Sequence, residues 1–387
     1  MRKPEIGRRE LLRHALTGAV ALLPTMRLAD APGAREMETT RNGHGMSAAK
    51  AWISGCIGPR LLPEEKAFYA ESRPWGFILF GRNIESIGQV RALVAELKAT
   101  APDRTVPVFV DQEGGRVQRL RPPLADRFPP TATAGRIYRD DPERGRRLAW
   151  LQGRLLAAGL RDGFDIDGNC IPCLDVPQPG SHSVIGDRAY ADDPATVAIL
   201  GRAAAEGTMA GGVLPVMKHL PGHGRGEADS HLELPRVSAS REELAAHDFP
   251  PFRDLRDLPA AMTAHLLFES IDPLWPTTLS ATVIGDVIRR EIGYDGLLMS
   301  DDLSMKALRG DFGDLAAGAI AAGCDLALHC NGDMAEMVPV AANVPELEGE
   351  SLARAERALR VVRRSPDPDD LDALREEFAT LVNGVSA

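Results

Sequence analysis

From Ala51 onward the chain alternates between short apolar runs and longer stretches in which apolar residues recur every third and fourth position. The short runs are Ala51–Ile57, Gly76–Phe80, Val106–Val110, Cys170–Val176, Val213–Lys218, Ala260–His265, Gly296–Ser300 and Asp325–Cys330. Helix-period stretches such as Ile87–Thr100 and Pro142–Leu160 lie between them. This alternation implies parallel strands joined by crossover helices, and eight such units predict an α/β fold, a single closed (β/α)8 TIM barrel. An open sheet with a second domain is the competing architecture. Glu348–Arg363 and Asp369–Val382 read as extra C-terminal helices on the outside.

Residues 1–45 break the pattern. Arg8-Arg9 precede an apolar stretch, Ala15 to Pro24, and a polar tail then reaches Gly45. One reading is a twin-arginine export signal, which would place the mature protein in the periplasm. The other, which is preferred, is an upstream extension with Met46 as the working start and a cytoplasmic protein. On either reading residues 1–45 lie outside the fold, and 46–387 form the barrel domain.

Bulk properties narrow the function classes. Hydrophobic residues make up 44% and charged residues 26%, a globular composition, and the net charge is −10. A surface of that sign repels phosphate backbones, so nucleic acid is not an expected partner. No run approaches the roughly 18 consecutive apolar residues of a membrane span. Small molecules remain. The five cysteines (Cys56, Cys170, Cys173, Cys324 and Cys330) are odd in number and lie in apolar segments, which suits a reducing compartment. Cys170 and Cys173 form a C-x-x-C, but within a buried strand, positions three apart face opposite ways, so both are expected as small core residues.

Polar residues gather at the C-terminal ends of the predicted strands, where barrel enzymes build their sites. Lys218-His219-Leu220-Pro221-Gly222-His223-Gly224, followed by Asp229-Ser230-His231, reads as a long loop at the barrel mouth. In a turn, Asp229 and His231 can face one way, the carboxylate fixing the imidazole tautomer and raising its basicity. Ser300-Asp301-Asp302 follows the seventh apolar run. Asp301 at the strand end can act as nucleophile or general base, while Asp302 is expected to point outward or cap the next helix; capping is open for both. In Asp111-Gln112-Glu113-Gly114-Gly115-Arg116-Val117-Gln118-Arg119, paired glycines allow close backbone approach, and Asp and Arg can grip vicinal hydroxyls.

Together these segments resemble bacterial β-N-acetylglucosaminidases of glycoside hydrolase family three, the kind that recycles cell-wall fragments. The family pattern is Lys-His-Phe-Pro-Gly-His-Gly ending in Asp-Ser-His, with Leu220 here in place of Phe, and the similarity spans about residues 50–345. The resemblance implies a retaining exo-β-N-acetylhexosaminidase acting on N-acetylglucosaminides and muropeptides, with no cofactor or metal. It implies Asp301 as nucleophile, His231 as acid/base and Asp229 as its partner. Sugar binding falls on Asp111, Arg119, Arg188 (in Gly186-Asp187-Arg188-Ala189-Tyr190), Lys218 and His219. Most glycosidases use two carboxyl groups; here a His–Asp dyad replaces one. The rival readings are a phosphorylase of the same fold, a metal-dependent hydrolase using His219, His223, His231, Asp229 and Asp301, and a non-catalytic sugar-binding protein.

Overall fold

Strands that are apolar on both faces have to be covered on both faces, and in this chain a barrel achieves that. The computed structural model describes residues 49–180, 183–226 and 233–383. The predicted extension 1–45 lies outside the described residues. Eight strands close a barrel: β1 (Lys50–Ser54), β2 (Pro74–Leu79), β3 (Val108–Val110), β4 (Gly168–Asn169), β5 (Leu214–Leu220), β6 (Ala260–Thr263), β7 (Leu297–Asp302) and β8 (Leu326–His329). Each pairs in parallel with its neighbours in sequence, and β1 closes the ring on β8 through Trp52 opposite Ala327 and Ser54 opposite His329. The strands are almost wholly buried, and apart from Lys50 at the start of β1, burial relaxes where β7 reaches Asp301 and Asp302.

The crossover helices carry the start signals their sequences announce. In α1 (Ile87–Lys98) Ser86 Oγ accepts from Gln89 N–H. α2 (Pro142–Phe164) begins on a proline and is capped by Asp141, and α3 (Pro194–Ala210) repeats the device with Asp193. α2 and α3 pack so closely that a Cβ at Gly207 would stand 2.1 Å from Trp150 O. The C-terminal segment forms two helices as expected, Gly349–Arg363 and α4 (Leu371–Asn383).

The fourth strand departs from expectation. The run Cys170–Val176 is not the strand; β4 is Gly168–Asn169, just before it. Pro172 lacks an N–H and interrupts the ladder. The segment still follows β5, with Lys218 N–H donating to Pro172 O (3.0 Å) and Leu174 N–H to Lys218 O (2.7 Å). It therefore delivers Asp175 to the barrel mouth. Cys170 and Cys173 are buried and unbridged.

Candidate active site

The C-terminal ends of β2, β3, β5, β6, β7 and β8, with the loops carrying Arg119 and Arg188, converge on a cavity of about 400 Å³, whose walls include Asp111, Arg119, Arg188, Lys218, His219 and Asp301. All the sequence-predicted sugar-binding residues and the predicted nucleophile therefore meet in one place. Asp229 and His231 lie outside the described residues.

A chain of ion pairs with alternating sign runs along one wall. Arg119 Nη2 lies 3.2 Å from Asp111 Oδ2, and Lys218 Nζ lies 2.8 Å from both Asp111 Oδ1 and Glu113 Oε1. Arg188 then grips Glu113 bidentately, Nε to Oε2 at 2.9 Å and Nη2 to Oε1 at 2.8 Å. Lys218 and Glu113 are each only 2% exposed. Burial alone would raise both carboxyls. Lys218 and then Arg119 nevertheless hold Asp111 well below the usual carboxylate range, and Arg188 and then Lys218 bring Glu113 down to about 2. Burial likewise opposes the Lys218 charge, but Asp111 and Glu113 outweigh it and keep the ammonium above its ordinary value.

The loop bearing these groups depends on glycine. Gln112–Gly114 and Val117–Gln118 form a two-stranded hairpin beyond β3. Gly114 has φ +106, and a Cβ there would stand 2.4 Å from Pro129 O, so no other residue fits without displacing backbone. Gln112 ties the turn together, its Oε1 accepting from Arg119 N–H (2.9 Å) and Leu120 N–H (3.0 Å).

Next to this wall, β5 runs on to Leu220, so Lys218 and His219 are strand residues and the loop starts only at Pro221. Asp175 organises this side. Its Oδ2 meets His219 Nδ1 at 2.6 Å and accepts from Cys173 Sγ at 3.2 Å, while Oδ1 accepts from His223 N–H at 2.6 Å. The sequence reading overlooked Asp175, yet a carboxylate inside an apolar run was a signal, because a buried charge needs partners. Burial, reinforced by nearby His219, pushes His223 down to about 4 and keeps it neutral near pH 7.

Asp301 sits at the C-terminal end of β7, where Asp302 N–H donates to its Oδ1 at 2.8 Å. Burial raises its carboxyl, but His265 and then His219 outweigh that effect, so it stays ionised below the ordinary value. His265 supports the strand end from behind through Thr278 Oγ1 (2.8 Å) and Asp302 O (2.9 Å). Asp302 caps a turn and not a helix, accepting from Ser304 N–H (3.0 Å), Ser304 Oγ (2.6 Å) and Cys330 N–H (3.1 Å).

Among the described residues, Cys173, Asp175 and His219 bring ligand-type atoms close enough to consider a metal ion. Their atoms are already committed to one another by hydrogen bonds, and burial pushes the Cys173 thiol far above its ordinary value. That chemistry describes a brace for His219 better than a ligand set awaiting an ion.

An ionised carboxylate facing hydrogen-bonding cations across a barrel mouth is equipment for work on polyhydroxylated molecules. Residues 63–364 match the glycosyl hydrolase family 3 N-terminal domain. A Beta-hexosaminidase of Alkalilimnicola ehrlichii is 39% identical over 327 residues, covering 84% of this chain and 86% of that protein. NagZ from Neisseria gonorrhoeae, solved in complex with N-trifluoroacetyl-D-glucosamine, superimposes with a TM-score of 0.77 at 32% identity, covering 87% of this chain and 98% of that one. A family 3 β-N-acetylglucosaminidase from Paenibacillus sp. str. FPU-7 gives a TM-score of 0.69 at 33% identity, covering 86% of this chain and 62% of that one. The chain belongs to glycosyl hydrolase family 3 and is a glycoside hydrolase.

Proposed function

We propose that this enzyme is a retaining β-N-acetylhexosaminidase that removes terminal, non-reducing β-linked N-acetylglucosamine, with peptidoglycan fragments as its natural substrates. Asp301 attacks the anomeric carbon as the bond to the departing oxygen breaks, and His231 gives that oxygen its proton. The product of this step is a glycosyl ester of Asp301. Water then attacks the same carbon, His231 takes the water's proton, and the Asp301 carboxylate is released. Asp229 holds the His231 ring in its working tautomer.

One observation carries this reading. Of the other carboxyls at this site, Asp111 and the neighbouring Glu113 are locked in ion pairs and held ionised, and both Asp302 oxygens accept hydrogen bonds from Ser304 and Cys330, so none stands as a conventional acid near pH 7. A proton donor of another kind is needed, and the Asp229–His231 pair singled out in the sequence has the required chemistry. The sugar identity is supported by the relatives, which carry the name Beta-hexosaminidase, and by the glucosamine derivative held by the Neisseria protein. The deciding assay compares a chromogenic N-acetyl-β-glucosaminide with the matching β-glucoside, with and without phosphate. Turnover of the first alone, releasing free sugar regardless of phosphate, is expected. Preference for the plain glucoside, or a phosphorylated product, would overturn the proposal.

A further inference from the structure

The hairpin that presents Asp111, Glu113 and Arg119 is incompletely supported from below. A cavity of about 370 Å³ lies against it, with Gln112, Leu120 and Phe128 on the hairpin side and Leu155, Leu156 and Arg375 on the other. A loop beside such a cavity has room to shift on that side, although Gln112, Leu120 and Phe128 are themselves buried. Its outer support comes from α4, where Leu374 and Phe378 pack against the cluster of Phe128, Leu155, Leu156 and Ile171, and Arg375 lies 3.8 Å from Asp126. Phe128 meets Phe378 of α4 edge to face, with ring centroids 5.5 Å apart and planes at 64°.

Phe128 connects directly to the hairpin. Its carbonyl accepts from Gly115 N–H at 2.9 Å, and its N–H donates to Gln118 Oε1 at 3.2 Å. Arg119 is the next residue. α4 in turn is anchored to α2, where Arg147 grips Glu377 bidentately (2.7 and 2.7 Å). Arg154, itself buried, reaches Asp369 Oδ2 at 2.7 Å. The same helix α2 holds the hairpin's other side through Gln152 Nε2, which donates to Glu113 O at 2.9 Å. The family domain match ends at residue 364, before α4 begins.

We infer that α4 is a positioning element for the sugar-binding hairpin, acting through the Phe378–Phe128 contact. Phe378 touches no substrate. It holds the strand turn that follows Asp111 and carries Arg119, and the cavity alongside leaves Phe128 room to shift when the ring is removed. The inference rests on the proposed function only for what the hairpin binds.

The test uses the full chain. Phe378→Ala is expected to raise KM for the chromogenic glucosaminide, and Ki for free N-acetylglucosamine, by about 3- to 10-fold, with kcat within about twofold. Phe378→Leu, which refills most of the volume, restores both, and Glu377→Gln shifts both constants the same way by less. Hydrogen exchange at Gly115 N–H gives a readout independent of any sugar, and it should speed up in Phe378→Ala but not in Phe378→Leu. A fall in melting temperature with KM, Ki and Gly115 exchange unmoved would make α4 a structural brace and overturn the inference. Faster Gly115 exchange in a protein that cleaves no glucosaminide would overturn the functional proposal while leaving the positioning role intact.

Discussion

Asp175 Oδ2 lies 2.6 Å from His219 Nδ1, and the other oxygen of that carboxylate accepts from His223 N–H at 2.6 Å. One buried acid thus fixes the end of β5, the first turn of the following loop and the orientation of a ring in the cavity wall.

Replacing Asp175 with Asn therefore removes a charge that several donors share. Hydrogen bonds to a buried charged group contribute about 1.5–3 kcal/mol each, so Asp175→Asn, which keeps one acceptor oxygen, should lower stability by about 2–4 kcal/mol at pH 7. The carboxyl is held well below its ordinary range, with His219 as the main force opposing burial. Its contribution is complete above about pH 4 and is lost as pH falls further. Thermal melts across pH 2–7 should show a smaller acid-induced drop in the variant than in the wild type. Parallel curves would argue that Asp175 is not the ionised hub.

His223 gives a separate window at higher pH. Its folded value is depressed to about 4, so the unfolded chain takes up a proton first as the solution is acidified. Stability is full above about pH 6.5 and declines toward pH 4, by on the order of 3 kcal/mol. His223→Gln should flatten that part of the curve. A wild type with constant stability from pH 7 to 4.5 contradicts this.

Lys218 separates two carboxylates that would otherwise face each other across the wall. Lys218→Met should destabilise by about 3–5 kcal/mol in urea titrations and abolish glycoside binding. A loss below about 1 kcal/mol would mean that Asp111 and Glu113 find other partners.

For the chemical step, Asp301→Asn should remove turnover and leave the melting temperature close to wild type, because the side chain lies at a strand end facing the cavity. A fluorinated glycosyl inactivator should label Asp301 in the wild type, and peptide mapping locates the adduct. Label on Asp302 or Glu113 overturns the assignment.

His231→Ala should be nearly inactive on a natural disaccharide and much less impaired in glycosylation when the leaving group is a nitrophenol, which hardly needs protonation. Asp229→Ala should act in the same direction but more mildly, and the double variant should be little worse than His231→Ala. Wild-type rates on a disaccharide would show that some other residue donates the proton.

The barrel and the acidic C-terminal end of β7 were readable because their signals are local. An apolar run ending in Ser300-Asp301-Asp302 announces both a strand and the place where it meets solvent. Asp111, Arg119, Arg188, Lys218 and His219 were likewise found, and all of them line the cavity. Interactions between segments far apart in the chain were not readable. Nothing near Glu113 in sequence points to Arg188 or Lys218, which are 75 and 105 positions away, yet those partners decide its charge. β4 was misplaced because Cys170–Val176 has a strand's composition while Pro172 denies it a continuous ladder. Asp175 went unnoticed for a related reason, since its partners lie on β5 and in the loop that follows.

The alternating run Arg119, Asp111, Lys218, Glu113, Arg188 has a consequence for how this pocket can change over generations. Each interior member balances two neighbours, so altering one alone strands a desolvated charge next to a partner built to meet it. Single substitutions there meet a stability barrier before any new sugar preference can be tried. Change at these five positions is therefore easier in concert than singly, whereas a side chain at the rim can be exchanged without unbalancing its neighbours.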